Sequence, residues 1–418
     1  MQPTLRFRPR RPAVANDTSS NLDLLLTIAA PSANPNLSSK RPPLNLALVI
    51  DRSGSMQGRK LSYARKAARF LASELTPRDR LSIVVFDHEV SVLMPSLPVH
   101  SPETFIEAIN TIHSGGMTAL HDGWIAGARQ VAEHLQPGAL NRVLLLSDGH
   151  TNKGLVDSDQ ISEQAAGLAE RGVSTSAFGL GDGFDEDLMG AIANAGQGTL
   201  AFIESPDDLP QLYSDELSGL NSTFATQLRL TSECSTGVEI VDVLNDLPSD
   251  SRGRLKLPNL RYGQELQVAV RLSISPWQAN RPIGTVQLEW QSAAEMSDEP
   301  TSLTSTLTLP VMPHKDIQRL AEDTAVAEQF ALMQATRDRR RAIDALDRGD
   351  MIGAQATLGA ISTYLDELPS SDLLIKEQAL ITKKKELLSK DKNLSRKLMR
   401  SEAYRTSTDV WEKKKRGR

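Results

Sequence analysis

LNLALVIDRSGS, at residues 44–55, joins an unbroken apolar run to a cluster of oxygen-bearing side chains. An apolar run of this length predicts a strand that helices cover on both faces, as in a parallel sheet. Similar runs follow at residues 80–86, RLSIVVF, and 142–146, RVLLL. Between the first two, residues 60–75 carry an apolar stripe at helical spacing. Residues 44–220 are therefore expected to form a Rossmann-like, doubly wound α/β domain of about six strands.

The periodicity of the apolar residues changes after residue 220. Segments such as QELQVAVRLSIS and GTVQLEWQ alternate apolar and polar positions, which predicts an antiparallel β-sandwich over residues 221–313. The N-terminal segment NLDLLLTIAAP has the same strand character, and an isolated strand must pair with a sheet to satisfy its backbone groups. Residues 1–43 are therefore expected to join the sandwich, so that the α/β domain is inserted in it. Trp277 and Trp290 are expected in its core, and Cys234 is expected to be buried.

Residues 314–418 have helical periodicity and end in a basic tail. A first helix is predicted from about His314 to Asp347, and a second from Met351 to Leu368, after a break at Gly349. Residues 371–418 contain 15 Lys and Arg against 7 Asp and Glu, whereas the whole chain has 47 against 52. The chain thus has an acidic body and a basic end, which is typical of a solvated helical face or of a docking site for an acidic partner.

Composition excludes several classes of protein. The longest apolar runs are too short to span a bilayer, and the N-terminus lacks the apolar stretch of a secretory signal. The single cysteine excludes an intramolecular disulfide and a multi-cysteine zinc site, which fits a reducing cytoplasm. Direct nucleic-acid binding is disfavoured because no aromatic-rich basic patch or base-reading motif accompanies the basic tail. We therefore expect a cytoplasmic protein without a membrane span.

Oxygen-bearing side chains cluster where the predicted strands of the α/β domain end. They are Asp51, Ser53, Ser55, Thr118 and Asp148. Because ligands of doubly wound sheets bind at the carboxyl ends of the strands, these side chains are expected to meet at one edge. Hard oxygen donors suit Mg²⁺, with Mn²⁺ or Ca²⁺ as alternatives. In a purely structural alternative, Asp51 and Ser53 cap the following helix and Asp148 turns the chain.

The DxSxS pattern of Asp51, Ser53 and Ser55, followed by a threonine loop and an aspartate after a later strand, resembles the von Willebrand factor A domain. The resemblance covers about residues 44–220, and its last part, GLGDGFDEDLMGAIANAGQGTLAFIES, looks like bacterial intracellular and membrane-linked members of the family. It implies a complete metal-ion-dependent adhesion site in which the three hydroxyls coordinate the metal, and Asp51 and Asp148 act directly or through water. It also implies an open coordination position that accepts an Asp or Glu carboxylate from another protein.

These features favour an interaction module over an enzyme. The sequence has no P-loop, no nucleophile elbow and no general base near the predicted site, so no catalytic or cofactor-binding residue is assigned. The simplest version is a homo-oligomer in which one subunit completes the metal site of another. By the resemblance, an alternative is an adaptor of a MoxR-type AAA+ ATPase. Hydrolysis by a metal-bound water is the least favoured alternative.

Two interpretations are open for the methionines beside the predicted site. Met56 follows Ser55, and Met117 precedes Thr118. Both could form an apolar rim around a bound carboxylate, or both could pack the loops that carry the site.

Overall fold

The structure is a computed structural model that describes residues 2–32, 41–136, 138–149, 154–181, 183–203, 205–279, 281–293, 299–366, 368 and 371–390. The basic tail at residues 391–418 lies outside the described residues. The chain divides into two compact units. One comprises residues 1–33, 225–291 and 300–418, and the other comprises residues 34–224 and 292–299.

The elements follow one another in four groups along the chain. The first strands are β1 (Thr4–Pro9), β2 (Val14–Ala15) and β3 (Ser20–Ala29). The α/β group is β4 (Leu44–Asp51), α1 (Arg59–Glu74), β5 (Arg80–Phe86), β6 (Val90–Pro98), α2 (Pro102–Asn110), α3 (Leu120–Ala132), β7 (Leu140–Ser147), α4 (Ser158–Glu170), β8 (Val173–Leu180), α5 (Glu186–Ala195), β9 (Leu200–Ile203) and α6 (Leu209–Asn221). The later strands are β10 (Thr223–Cys234), β11 (Val238–Val243), β12 (Leu255–Lys256), β13 (Leu260–Arg261), β14 (Glu265–Ile274), β15 (Gly284–Ser292), β16 (Thr301–Leu307) and β17 (Val311–Met312). The last helices are α7 (His314–Ile317), α8 (Thr324–Asp347), α9 (Met351–Asp366) and α10 (Asp372–Lys390).

The α/β unit contains a six-stranded sheet in the order β6-β5-β4-β7-β8-β9. Its strands are parallel except for β6, which pairs antiparallel with β5 at one edge. Every residue of β4 and of β7 is buried, as their continuous apolar runs predict. Helix α1 buries its predicted stripe of Leu61, Ala64, Ala68 and Leu71 in the core. The doubly wound α/β fold is thereby confirmed.

The other unit contains two antiparallel sheets and a short parallel pairing of β2 with β17. One antiparallel sheet has the order β1-β3-β14-β11, and in it Leu26 of β3 lies opposite Val268 of β14. The second has the order β12-β10-β15-β16, with β13 paired to β10. Trp277 and Trp290 are buried, as expected. Cys234 is exposed, so the expectation of burial was wrong: it is the last residue of β10, where the strand runs into solvent.

The C-terminal region is helical, and its first helix is shorter than expected. A single helix from His314 was predicted, but α7 ends at Ile317 and α8 begins at Thr324. The reason is the Asp323 carboxylate, which accepts hydrogen bonds from the amides of Ala325 and Val326 at 3.1 and 3.3 Å and so begins a new helix. Among the described residues, no helix combines the length and the apolar character of a membrane span.

Candidate metal centre

The site begins where two neighbouring parallel strands end. Strands β4 and β7 pair with Ile50 opposite Leu146, so Asp51 and Ser147 end the two strands side by side. Asp148 follows directly. The parallel pairing therefore brings together two carboxylates that are far apart in the sequence.

Asp51 is held by neutral hydrogen-bond donors in a buried position. The Ser53 amide donates to Asp51 Oδ1 over 2.7 Å, and the Ser147 hydroxyl donates to Asp51 Oδ2 over 2.5 Å. Burial raises the pKa of the Asp51 carboxyl above its ordinary value, and the nearby Asp148 acts in the same direction, against the hydrogen bonds from the two serines. A cation at this position would favour the charged form of Asp51.

The serine hydroxyls connect Asp51's loop to Asp148. Ser53 Oγ lies 3.1 Å from Ser55 Oγ, and Ser55 Oγ donates to Asp148 Oδ1 over 2.7 Å. Asp51, Ser53 and Asp148 are buried, whereas Ser55 is exposed. The cluster thus opens to solvent at Ser55.

Thr118 lies near the cluster because backbone hydrogen bonds connect its loop to the loop that follows Asp51. The Gly115 amide donates to the Arg52 carbonyl over 2.6 Å, and the Gly54 amide donates to the Gly116 carbonyl over 3.0 Å. A β-carbon placed on Gly149 would lie 3.3 Å from Thr118 Oγ1 and 3.6 Å from Ser55 Oγ. These two hydroxyls therefore border the same small space next to Asp148.

Asp87, at the end of β5, supports the threonine loop and was not singled out from the sequence. The Gly116 amide lies 3.4 Å from Asp87 Oδ2, and the Arg52 guanidinium lies 3.2 Å from the same oxygen. Burial would raise the pKa of Asp87, but hydrogen bonds from the Glu89 and Gly116 amides and the charge of Arg52 outweigh it, so the pKa is lowered. The charged carboxylate of Asp87 thus contacts both the loop of Arg52 and the loop of Gly116.

Lys60 is the second residue that the sequence reasoning missed. It lies in the first turn of α1, and its Nζ is 2.5 Å from Asp148 Oδ2. Asp148 therefore contacts Ser55 through one oxygen and Lys60 through the other.

The two methionines beside the cluster have different surroundings. Met56 is fully buried in the core of the α/β unit, whereas the Met117 residue is 55% exposed. Met56 thus packs the loop, and Met117 alone of the pair is placed to contact a bound molecule.

The donor set fits a hard divalent cation. The five predicted side chains offer two carboxylates and three hydroxyls, all of them oxygen donors. Within the described ranges, no group of three or more His, Cys, Asp or Glu residues could hold a metal. A metal in this part of the chain would therefore depend on serine and threonine hydroxyls, and the strand ends of the α/β unit are where the hydroxyls and carboxylates meet.

Comparison with known proteins gives a family match for the α/β part of the chain. Residues 45–215 match the family model of the von Willebrand factor type A domain. The uncharacterized protein sll0103 of Synechocystis is 26% identical over 361 residues, which cover 82% of this chain and 83% of that protein. The uncharacterized Escherichia coli protein YfbK is 27% identical over 48% of this chain, and human inter-alpha-trypsin inhibitor heavy chain H4 is 31% identical over 34% of it. These matches span only 35% and 16% of the latter two proteins.

Solved structures share the fold over nearly the whole chain. The structure titled von Willebrand factor type A from Catenulispora acidiphila is 18% identical, with a TM-score of 0.69, and the match covers 93% of this chain and 90% of that one. The ArnB paralog VWA2 from Sulfolobus acidocaldarius is 16% identical, with a TM-score of 0.60 and coverage of 97% and 99%. The protein therefore contains a von Willebrand factor type A domain, which the family model places at residues 45–215.

Proposed function

We propose that this protein is a divalent-metal-dependent protein-interaction module. The metal would be held by Asp51, Ser53, Ser55, Thr118 and Asp148. The observation that supports the proposal is the convergence of these side chains on one rim of the sheet, with Ser55 exposed and the other four buried. Mg²⁺ is the metal that we favour, with Mn²⁺ and Ca²⁺ as alternatives, because all the donors are hard oxygens.

The partner would supply an Asp or Glu side chain. A bound metal would offer an open coordination position to a carboxylate oxygen, which a hard cation prefers to water. The exposed Met117 side chain next to Thr118 would add an apolar contact with the partner's chain around that acid. The relationship to von Willebrand factor type A domains supports this function.

Metal binding is tested directly with Mn²⁺, whose free ion is measured by electron paramagnetic resonance. We expect one Mn²⁺ site in the wild-type chain, loss of binding in Asp51→Asn, and binding weakened by at least about tenfold in Ser55→Ala, because even residues that only orient a metal ligand have effects of that size. Ser73→Ala is the matched control, since the Ser73 hydroxyl is exposed and donates only to the Phe70 carbonyl of its own helix. A wild-type chain that leaves the free Mn²⁺ signal unchanged would overturn the proposal.

Carboxylate binding is tested on the Mn²⁺-loaded protein with a pair of small probes. N-acetyl-aspartate amide should displace metal-bound water and lower the relaxation rate of the solvent protons, whereas N-acetyl-asparagine amide should not. Equal effects of the two probes, or none from either at millimolar concentration, would contradict recognition of an acid by the metal.

A second copy of this chain is the simplest partner. A head-to-tail contact, in which an acid of one subunit completes the metal site of the next, closes into a ring when the rotation permits. Light scattering after size exclusion should then show an assembly in Mg²⁺ that EDTA and Asp51→Asn dissociate. A monomer under all three conditions would exclude self-assembly and leave an external partner, of which the AAA+ ATPase expected from the resemblance is one example.

A further inference from the structure

Lys60 places a fixed positive charge inside the proposed metal site. Its Nζ lies 2.5 Å from Asp148 Oδ2, and the side chains of Lys60 and Asp148 are 35% and 0% exposed. The end of the Lys60 side chain also passes Gly181, where an added β-carbon would lie 3.9 Å from both Cε and Nζ. The ammonium group is thus seated between α1 and the end of β8 rather than free in solvent.

The two carboxylates of the site, those of Asp51 and Asp148, have different contact partners. The contacts of Asp51 come from the neutral donors Ser53 and Ser147, whereas Asp148 receives one neutral donor, Ser55, and one cation. Without a metal, Lys60 cancels about half of the negative charge of the carboxylate pair. With a divalent ion added, Lys60 would lie within a few ångströms of a second cation.

We propose that Lys60 competes with the divalent metal for Asp148 and thereby sets the metal affinity of the site. This inference rests on the metal binding proposed above. Like charges repel most strongly where water is scarce. Asp148 is fully buried but the Lys60 side chain is 35% exposed, so solvent screens the repulsion between Lys60 and the metal only in part. In the absence of metal, the same ammonium stabilises the folded domain by neutralising Asp148.

If Lys60 competes with the metal, removing its charge should have opposite effects on metal binding and on the stability of the metal-free protein. Lys60→Met keeps the apolar stem and removes the charge. It should bind Mn²⁺ about tenfold more tightly than the wild type, because one like charge next to the metal is lost. In EDTA it should unfold at a lower temperature than the wild type, because Asp148 is left without its cation.

Arg59→Met is the matched control on the neighbouring residue. Arg59 carries the same charge on the same turn of α1, but its nearest ion-pair partner is the exposed Asp207, 3.4 Å away. Its removal should change Mn²⁺ affinity by less than about twofold, since an exposed charge is screened by solvent and salt. Lys60→Arg, which keeps a cation at the site, should not bind Mn²⁺ more tightly than the wild type.

The measurements are a Mn²⁺ titration at fixed ionic strength and thermal unfolding in EDTA and in Mg²⁺, for the full-length wild-type chain and the three variants. Tighter Mn²⁺ binding by Lys60→Met alone, with a larger Mg²⁺-induced rise in melting temperature, supports the proposal. Equal affinities of Lys60→Met and Arg59→Met overturn it, and so does a loss of binding in Lys60→Met, because Lys60 would then order Asp148 for the metal. If neither the wild type nor Lys60→Met binds Mn²⁺, the metal proposal itself fails.

Discussion

Ser147 and Asp51 end adjacent parallel strands, and the Ser147 hydroxyl donates a hydrogen bond to Asp51 Oδ2 over 2.5 Å. This contact fixes one oxygen of a buried carboxylate through a residue that would not itself hold the metal. The orientation of the Asp51 carboxylate therefore depends on the neighbouring strand as well as on its own loop.

Ser147→Ala should weaken Mn²⁺ binding by about tenfold, because a residue that orients a metal ligand typically has an effect of that size. The loss of the hydrogen bond should also lower the free energy of unfolding by about 1 kcal/mol. Ser82→Ala is a suitable control, since Ser82 is another buried strand serine, whose hydroxyl donates to the Leu46 carbonyl at 3.3 Å. Equal Mn²⁺ affinity in the two variants would show that Ser147 only stabilises the sheet.

Gly115→Ala should displace the loop that carries Thr118. A β-carbon at Gly115 would lie 1.9 Å from Asp87 Oδ2, which is closer than atoms can approach. We expect weaker Mn²⁺ binding together with a loss of about 1–3 kcal/mol of stability from the forced shift. Gly359→Ala, at a helical position where nothing beyond the adjoining helix backbone lies within 4 Å of the added carbon, should leave binding unchanged and leave stability unchanged or slightly higher. Wild-type Mn²⁺ affinity in Gly115→Ala would contradict this account of the loop.

Asp79 should make the α/β unit sensitive to acid. Burial opposes its ionisation, but hydrogen bonds from Arg41, from the Leu44 amide and from Thr76 outweigh burial and lower the pKa of Asp79 below its ordinary value of 3.8. A lowered folded-state pKa gives stability that is present above the unfolded pKa and is lost as the pH falls through the folded pKa.

The Asp79→Asn variant should therefore lose about 2–3 kcal/mol at pH 7, where the charged hydrogen bonds are complete, and progressively less as the pH falls through the lowered pKa of Asp79 in the folded protein. Urea unfolding at a series of pH values compares the two proteins. Parallel stability curves for the wild type and Asp79→Asn would show that the hydrogen bonds of Asp79 do not depend on its charge.

Arg337 should hold α8 to the end of β11 through both arms of its guanidinium group. Its nitrogens lie 2.7 and 3.1 Å from the two oxygens of Asp242, and one of them also donates to the Val243 carbonyl over 2.8 Å. Arg337→Lys keeps the charge but loses the two-pronged contact, so we expect a loss of about 1–2 kcal/mol and faster amide exchange in α8. Arg341→Lys, whose ion pair with Asp338 is exposed, should cost less than about 0.5 kcal/mol.

The sequence predicts the strands of the α/β sheet and the five proposed metal-site residues because both depend on local pattern. A continuous apolar run predicts a buried strand, and the residue that follows such a strand must emerge at the carboxyl edge. Asp87 follows β5 and Ser147 ends β7 at the same edge, so the same rule applied to every strand end would have found them.

Lys60 was harder to find, because its role depends on the direction in which α1 leaves the loop. One local signal did exist: α1 begins with Arg59 and Lys60 and has no acidic residue in its first turn, although cations are unfavourable at the N-terminus of a helix. Such a mismatch indicates that the charges have another partner. The break before α8 was missed for a related reason, since the apolar spacing continues across it while α7 ends at Ile317 and the side chain of Asp323 caps the start of α8.

The pairing of β3 with β14 also has a consequence for biosynthesis. The partner of Ala29 is Glu265, so a ribosome adding about 5–20 residues per second needs roughly 10–50 s to deliver the second strand after the first. During that interval β3 can pair with β1, but its other edge presents unsatisfied backbone groups, which attract foreign strands. The nascent chain therefore passes through a stage in which the free edge of β3 needs shielding, while the α/β unit that emerges behind it already has every strand of its own sheet.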